Sequence, residues 1–173
     1  MSFYKIIKII LKYKISHYGV IYRLVSLYWF FRKIDFRDEF ELLDIGFNDG
    51  IFREYFIHRF PKCNYSGIEV DDKYLGIYEN TFHHDFENRE LDSFYDLIFC
   101  SHVLEHIKND KGFIKNIANS FNDKDTKLVI RVPMPSNKTS FLRKLNQKLE
   151  EHHEHERDGY TLGEMESLLK SIN

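Results

Sequence analysis

The stretch Leu42-Leu-Asp-Ile-Gly-Phe-Asn-Asp-Gly50 decides the fold, because an apolar run passes through a turn with two glycines into a helical pattern. Glycine lets the backbone come close to a ligand, and the first N–H groups of a helix have no partner inside the helix. Asn48 tolerates a positive φ because its short side chain can bond locally. A plain tight turn is the alternative, but the combination predicts a loop that cradles a ligand.

Short apolar runs alternate with amphipathic stretches from Glu41 onward, which is typical of a parallel sheet covered by helices. Thr161 and Glu164 have the spacing of a capping box for the last predicted helix. The predicted strands cover residues 41–45, 64–69, 95–101 and 127–132, with a weak third strand before His84. The predicted helices cover residues 3–15, 20–33, 50–60, 73–80, 110–120 and 162–172. We therefore expect an α/β fold with a mostly parallel sheet.

The composition predicts one folded domain that has no general affinity for nucleic acid. The 173 residues are 43% hydrophobic and 30% charged, with a formal net charge of -2. This is ordinary for a globular protein and offers no basic face for phosphates. Cys63 and Cys100 lie far apart without zinc spacing, so we expect reduced thiols. Lysines interrupt the apolar N-terminus, which indicates neither a signal peptide nor a membrane span, and we expect a cytoplasmic protein.

The first 34 residues differ from the rest in charge, because they contain no Asp or Glu. Their basic residues are Lys5, Lys8, Lys12, Lys14, Arg23, Arg32 and Lys33. We divide the chain into an N-terminal helical segment, residues 1–38, and a binding domain, residues 39–173. We favour a lid packed on the domain, since aromatic residues fill cores and lysines extend from helix surfaces. The alternative is an interfacial segment with a peripheral membrane contact through Trp29, Phe30 and Phe31.

The sequence resembles the class I S-adenosylmethionine-dependent methyltransferases, especially the group that acts on small molecules. Four ordered places carry the resemblance. They are Leu43-Asp-Ile-Gly46 with Gly50, Gly67-Ile-Glu69, His84-Asp85-Phe86, and Asp96-Leu-Ile-Phe-Cys-Ser-His-Val-Leu-Glu-His106. The resemblance covers residues 41–132 and reaches the C-terminus more loosely through His155, Arg157, Tyr160 and Thr161.

This resemblance implies a Rossmann-like three-layer sandwich that uses S-adenosylmethionine to methylate a small-molecule acceptor. The loop backbone and Asp44 would hold the amino-acid end of the donor, Glu69 its ribose, and the turn at Asp85 its adenine. An acid at the end of the second strand suits ribose hydroxyls, although a plain surface acid beside Asp71 is the alternative. The cofactor-binding residues so assigned are Asp44, Gly46, Asn48, Gly50, Glu69, Asp85, Phe86 and Ser101.

The glycine spacing argues against an NAD-binding domain, and two loop residues depart from the methyltransferase pattern. An NAD-binding domain shares a glycine turn and a later acid, but Gly46-x-x-x-Gly50 lacks the G-x-G-x-x-G order. Asn48 stands where the family usually has a glycine, and Phe47 where it has a small residue or Cys, so we expect reduced donor affinity.

The C-terminal part of the pattern is short, because the family normally adds two further strands after Ile172. We therefore expect five strands and an exposed sheet edge near residues 127–132, which favours pairing with another chain, coverage by the N-terminal helices, or poor solubility. A homo-oligomer is thus one hypothesis. A non-catalytic donor-binding remnant or interaction module is the alternative to an enzyme.

Three histidines are candidates for the general base that removes a proton from the acceptor, because histidine titrates near neutral pH. His102 borders the methyl-transfer point by resemblance, and a histidine at the position of His155 often faces the acceptor pocket in similar families. His106 is a rival. His152, His153 and His155 alternate with glutamates, but we interpret this segment as a solvated helix face and predict no metal.

Overall fold

A computed structural model describes residues 3–13, 18–34, 36, 39–135 and 156–171. Two helices precede an alternation of strands and helices, and single turns of 3₁₀-helix lie at Asp72–Tyr74 and Leu104–His106. The helices are α1 (Phe3–Lys12), α2 (Tyr18–Phe31), α3 (Ile51–Arg59), α4 (Asp110–Ala118) and α5 (Leu162–Lys170). The strands are β1 (Phe40–Ile45), β2 (Cys63–Glu69), β3 (Thr81–His83), β4 (Leu97–Ser101) and β5 (Lys127–Arg131).

The strands form one parallel sheet in the order β3-β2-β1-β4-β5 over the described residues. Because Ile45 pairs with Ile68 on one side and with Cys100 on the other, the carboxyl ends of β1, β2 and β4 meet at one edge. The chain reverses its strand order between β1 and β4, and ligands of such sheets bind beyond the strand ends at that point. The predicted fold class, including five strands and N-terminal helices, is confirmed.

Two apolar cores flank the sheet, because successive residues of a strand point to opposite faces. Leu42 packs in the first core with α1, α2 and α3, which is rich in aromatic side chains such as Phe31 and Phe56. Leu43 packs in the second core with α4 and α5. The N-terminal helices therefore share a face of the sheet with α3.

The helix predicted over residues 73–80 is wrong. Only one turn of 3₁₀-helix forms there, at Asp72–Tyr74, and Leu75 after it is extended. Gly76 and Asn80 have φ of +74° and +58°, values that a right-handed helix cannot contain. The capping box is confirmed, because Thr161 and Glu164 exchange both of its hydrogen bonds at the start of α5.

The outer edge of the sheet at β5 is partly covered by α2. Within the described residues no strand pairs with β5 on the side away from β4, as expected from the sequence. Arg131 donates a hydrogen bond from Nη2 to Ser26 Oγ (3.1 Å) and another from Nη1 to Arg23 O (3.3 Å). Burial of this guanidinium lowers the pKa of Arg131 to about 10. No described helix is long and apolar enough to cross a membrane.

Candidate active site

The loop after β1 has a backbone that only a few residue types adopt easily. Gly46, Asn48 and Gly50 have φ of +71°, +50° and +77°. Glycine enters this left-handed region freely, and asparagine more readily than other residues with a side chain. Gly46 N–H donates to Ile68 O (2.9 Å), which fixes the start of the loop to β2. The positive φ anticipated for Asn48 is present, and α3 begins directly after Gly50.

Phe47 and Gly67 fit each other, and this explains one departure from the family pattern. The Phe47 side chain is buried, and a Cβ atom on Gly67 would lie 2.9 Å from its ring. Gly67 in β2 thus leaves room for the large side chain that replaces a small one. A glycine inside a strand often marks such a close approach, but the sequence alone did not reveal its partner.

Asp44 is a buried carboxyl group at the end of β1. It is 1% exposed and accepts a hydrogen bond on Oδ2 from the Tyr65 hydroxyl (2.8 Å). Burial raises the pKa of Asp44 to about 7; the Tyr65 hydrogen bond opposes this rise and the charge of Glu69 adds to it. Asp44 is therefore poised to exchange a proton near neutral pH when its surroundings change.

Glu69 links the end of β2 to the glycine loop. Its Oε2 accepts from the Asn48 N–H (3.2 Å) and its Oε1 from the Val70 N–H (2.9 Å). A carboxylate has about four lone-pair sites, so both oxygens keep acceptor capacity for hydroxyl groups. The structure brings the two residues together although 21 positions separate them.

Tyr78 covers the loop from the segment that was predicted to be helical. Its hydroxyl donates to Asp49 O (2.9 Å), and its ring occupies the space into which a Cβ of Gly50 would project. The hydroxyl of Tyr13, just after α1, lies 3.3 Å from the Tyr78 hydroxyl. Arg53 places its guanidinium over the same ring, 4.6 Å from the centroid. Sequence reasoning missed Tyr78 because it expected a helix there.

The predicted adenine-contacting turn is ordered mainly by its own residues. Phe86 is buried in the second core, with its ring 4.5 Å from that of His84. Asp85 accepts on Oδ1 from the Glu87 N–H (2.9 Å) and on Oδ2 from Asn88 Nδ2 (2.6 Å). Phe86 thus anchors the turn, while Asp85 caps it.

On the other side of β1, the end of β4 presents Ser101 and His102. Ser101 is buried, and its hydroxyl has no hydrogen-bond partner in the described part of the chain. His102 has a φ of +58° and its N–H donates to Arg131 O (2.8 Å). His102 Nδ1 lies 3.2 Å from Glu105 Oε1. Glu105 is 1% exposed, and among the described residues its Oε2 is unpartnered.

The residues before α5 bind the backbone of Glu105. The N–H groups of Glu156 and Arg157 both donate to Glu105 O, at 3.0 and 3.2 Å. Arg157 also forms an ion pair with Asp110 (3.1 Å), and the Tyr160 hydroxyl donates to the same carboxylate (3.4 Å). Sequence reasoning singled out Arg157 and Tyr160 without predicting these contacts.

The remaining histidine candidates divide between exposed and undescribed positions. His106 is exposed. His155, together with His152 and His153, lies outside the described residues. His102 lies beside the loop with its Nδ1 at the buried Glu105 carboxylate, an arrangement in which a histidine can accept a proton.

Comparison with known proteins decides the family. The model of a family described as "Methyltransferase domain" matches residues 17–171, which is most of the chain. The chain belongs to this methyltransferase domain family. The resemblance to S-adenosylmethionine-dependent methyltransferases is thereby confirmed.

Individual relatives of this methyltransferase domain are distant. Malonyl-[acyl-carrier protein] O-methyltransferase 2 of Ilyobacter polytropus is 30% identical over 93 residues, covering 48% of this chain and 36% of that protein. This chain thus spans about a third of the length of that curated relative.

Solved structures show the same fold at low identity. Phosphoethanolamine N-methyltransferase 2 of Haemonchus contortus, in complex with S-adenosyl-L-methionine, is 16% identical with a TM-score of 0.63, covering 85% of this chain and 36% of that one. An O-methyltransferase family 2 protein of Planctomyces limnophilus, in complex with apigenin, is 15% identical with a TM-score of 0.62, covering 87% of this chain and 53% of that one.

Proposed function

We propose that this chain binds S-adenosylmethionine on the loop from Asp44 to Gly50 and transfers its methyl group to a small-molecule acceptor. One observation carries the proposal. The loop lies where the strand order reverses, with three residues in left-handed conformation, and Glu69 from the neighbouring strand end is bonded to its Asn48 N–H. Open sheets of this kind bind ligands at that point.

The residues at the loop suit each part of the donor. Glu69 would accept from the ribose hydroxyls, and the backbone of the loop and of the first turn of α3 would meet the amino-acid end. The Ser101 hydroxyl, buried without a partner among described residues, is an unused polar group at the adjoining strand end. An ionised Asp44 carboxylate would attract a cationic group of the donor. When bound, S-adenosylmethionine supplies a methyl group already activated by a positive sulfur.

His102 is proposed as the general base, with Glu105 as the residue that positions it. Because His102 Nδ1 faces the buried Glu105 carboxylate, its Nε2 stays available to an acceptor. A carboxylate at one ring nitrogen also stabilises the charge that the ring gains when it takes a proton. This pair supports an acceptor that must lose a proton, such as a hydroxyl. His155 remains a predicted alternative.

The relatives support the class of acceptor. Their names refer to malonyl-acyl-carrier protein and phosphoethanolamine, and one structure contains apigenin. None of these is a nucleic acid, in keeping with the net charge of -2. We therefore propose a small acceptor or one presented on a carrier.

Calorimetry with S-adenosylhomocysteine and NAD tests the donor assignment. We expect S-adenosylhomocysteine to bind and NAD to bind far more weakly. Glu69→Gln should weaken S-adenosylhomocysteine about tenfold or more, since hydrogen bonds to charged groups contribute about 1.5–3 kcal/mol. Glu79→Gln, an exposed matched control, should leave binding unchanged. Equal or tighter NAD binding would contradict the assignment.

An acceptor screen that measures S-adenosylhomocysteine formation tests the transfer. With an active acceptor, His102→Gln and Glu105→Gln should each lower the rate at neutral pH about a hundredfold or more, with donor affinity kept. His83→Gln, at an exposed position in β3, is the control. Normal turnover in His102→Gln would remove this residue as the base. Tight donor binding without transfer to any acceptor would favour the non-catalytic module.

A further inference from the structure

Helix α1 has two outward stripes of different character. Tyr4, Ile7 and Leu11 are 63%, 41% and 70% exposed, and their spacing of three and four residues places them on one side of the helix. We call these residues the outer stripe. Lys5, Lys8 and Lys12 repeat the same spacing one position later, are also exposed, and form what we call the lysine row.

The outer stripe is not needed for the core. The inward face of α1 is already packed, because Ile6 and Ile9 are buried in the first core. Tyr4, Ile7 and Leu11 lie about opposite these residues on the helix, given 3.6 residues per turn. A contiguous exposed apolar stripe on an otherwise packed helix indicates a surface that contacts something apolar.

The lysine row keeps charge available for a partner. It lines a groove of about 670 Å³ between α1 and α3, with Glu54 and His58 on the other wall. Lys12 pairs with Glu54 (2.8 Å). No carboxylate of a described residue pairs with Lys5 or Lys8; Lys8 instead lies over the Tyr4 ring, 5.0 Å from its centroid. Within the described parts of the chain, two of the three ammonium groups are therefore without a carboxylate partner.

The charge of the whole chain would orient such a contact. All 27 acidic residues lie after Ile34, together with 18 of the 25 basic residues. An anionic surface therefore attracts the N-terminal helices and repels the rest of the chain. The protein would thus approach such a surface with its N-terminal helices first. Trp29 and Phe30 at the end of α2 are also exposed, and tryptophan is typical of the boundary of a bilayer.

We propose that the outer stripe and the lysine row bind the surface of an anionic lipid bilayer, with the apolar side chains at the acyl boundary and the ammonium groups at phosphates. An apolar stripe directly beside a basic row is the arrangement of interfacial helices. Nucleic acid fits less well, because phosphates would use the lysines and leave Ile7 and Leu11 without a partner. The proposal is independent of the methyl donor.

Co-sedimentation of the full chain with vesicles tests the proposal. We compare phosphatidylcholine alone with phosphatidylcholine containing about 30% phosphatidylglycerol, at low salt and at about 0.5 M salt. Retention should require the anionic lipid and fall at high salt. The double variant Lys5→Gln/Lys8→Gln should weaken retention about tenfold or more, because each lysine contributes separately to the attraction. Leu11→Ser should also weaken it, about threefold to tenfold.

Matched controls separate this surface from general effects. Lys111→Gln/Lys115→Gln removes two exposed lysines of α4, on the other face of the sheet, and Leu162→Ser removes an exposed leucine of α5. Both should bind vesicles like the unchanged protein, and circular dichroism checks that every variant is folded. No retention on anionic vesicles, or equal effects of the α1 and α4 lysine pairs, would overturn the proposal. So would lysine-dependent binding to single-stranded RNA by a protein that the vesicles leave in solution.

Discussion

The two sides of the candidate site are built in different ways. On the donor side, the loop from Gly46 to Gly50 depends on left-handed backbone conformations close to β1, and β2 bonds to it through Ile68 and Glu69. On the acceptor side, Glu105 is held by contacts with residues more than fifty positions away, through the N–H groups of Glu156 and Arg157. Donor binding should therefore respond to backbone strain, and acceptor chemistry to side chains that can change without moving the loop.

The largest effect is expected from Gly46→Val on the donor side. A side chain here must adopt φ of +71° and collides with Val103. Strain and overpacking each cost about 1–3 kcal/mol, so we expect a loss of about 4 kcal/mol in the free energy of unfolding, together with loss of donor binding. Urea unfolding and calorimetry with S-adenosylhomocysteine measure both.

Gly163→Ala is the control for this substitution. Gly163 lies in α5, and a Cβ there would meet nothing within 4 Å. Alanine in an exposed helix is more favourable than glycine, so stability should rise by about 0.5–1 kcal/mol. If Gly46→Val were as stable as the unchanged protein and bound the donor normally, the loop would not be the cradle.

A pH-dependent effect is expected next, from Asp44→Asn. Burial raises the pKa of Asp44 from 3.8 to about 7, so its charged form is disfavoured in the folded state. Below about pH 4 both states are protonated and the group costs nothing; between about pH 4 and 7 only the unfolded state ionises and stability is lost, and above 7 the loss is complete. Asparagine cannot ionise, so the Asp44→Asn variant does not lose stability in this way.

We therefore expect Asp44→Asn to match the unchanged protein near pH 4 and to exceed its free energy of unfolding by about 4 kcal/mol near pH 8. Urea unfolding across this range measures the difference. Asp92→Asn, at an exposed position away from the loop, is the matched control. Parallel pH profiles for Asp44→Asn and the unchanged protein would show that Asp44 is not neutral in the folded state.

The smallest effect on stability is expected from Arg157→Gln on the acceptor side. Arg157 pairs with Asp110 at 3.1 Å, but both side chains are partly exposed, and such pairs contribute at most about 1 kcal/mol. Donor affinity should not change, whereas methyl transfer should fall if the segment before α5 supports Glu105. The exposed Arg89→Gln serves as control. A loss of donor affinity equal to that of Glu69→Gln would remove the distinction between the two sides.

The same difference explains what could be predicted from the sequence. The strands and the loop were predictable because apolar runs and the glycines at positions 46 and 50 are local signals. The Phe47–Gly67 fit joins residues of different elements, and the His102–Glu105 pair forms in a short turn where His102 has a φ of +58°, which apolar spacing does not signal. The helix over residues 73–80 was wrong because apolar spacing was given more weight than Gly76 and Asn80, which punctuate a helix.

A titration of the uniformly ¹⁵N-labelled protein with S-adenosylhomocysteine, followed by amide NMR, tests the central claim most directly. If the donor binds on the loop after β1, the amide signals of Gly46, Asn48, Gly50 and Glu69 should shift and saturate together. The signals of Gly112 in α4 and Gly163 in α5 should stay in place. Saturable binding that leaves the loop signals unchanged, or that moves only those of α4 and α5, would contradict the account.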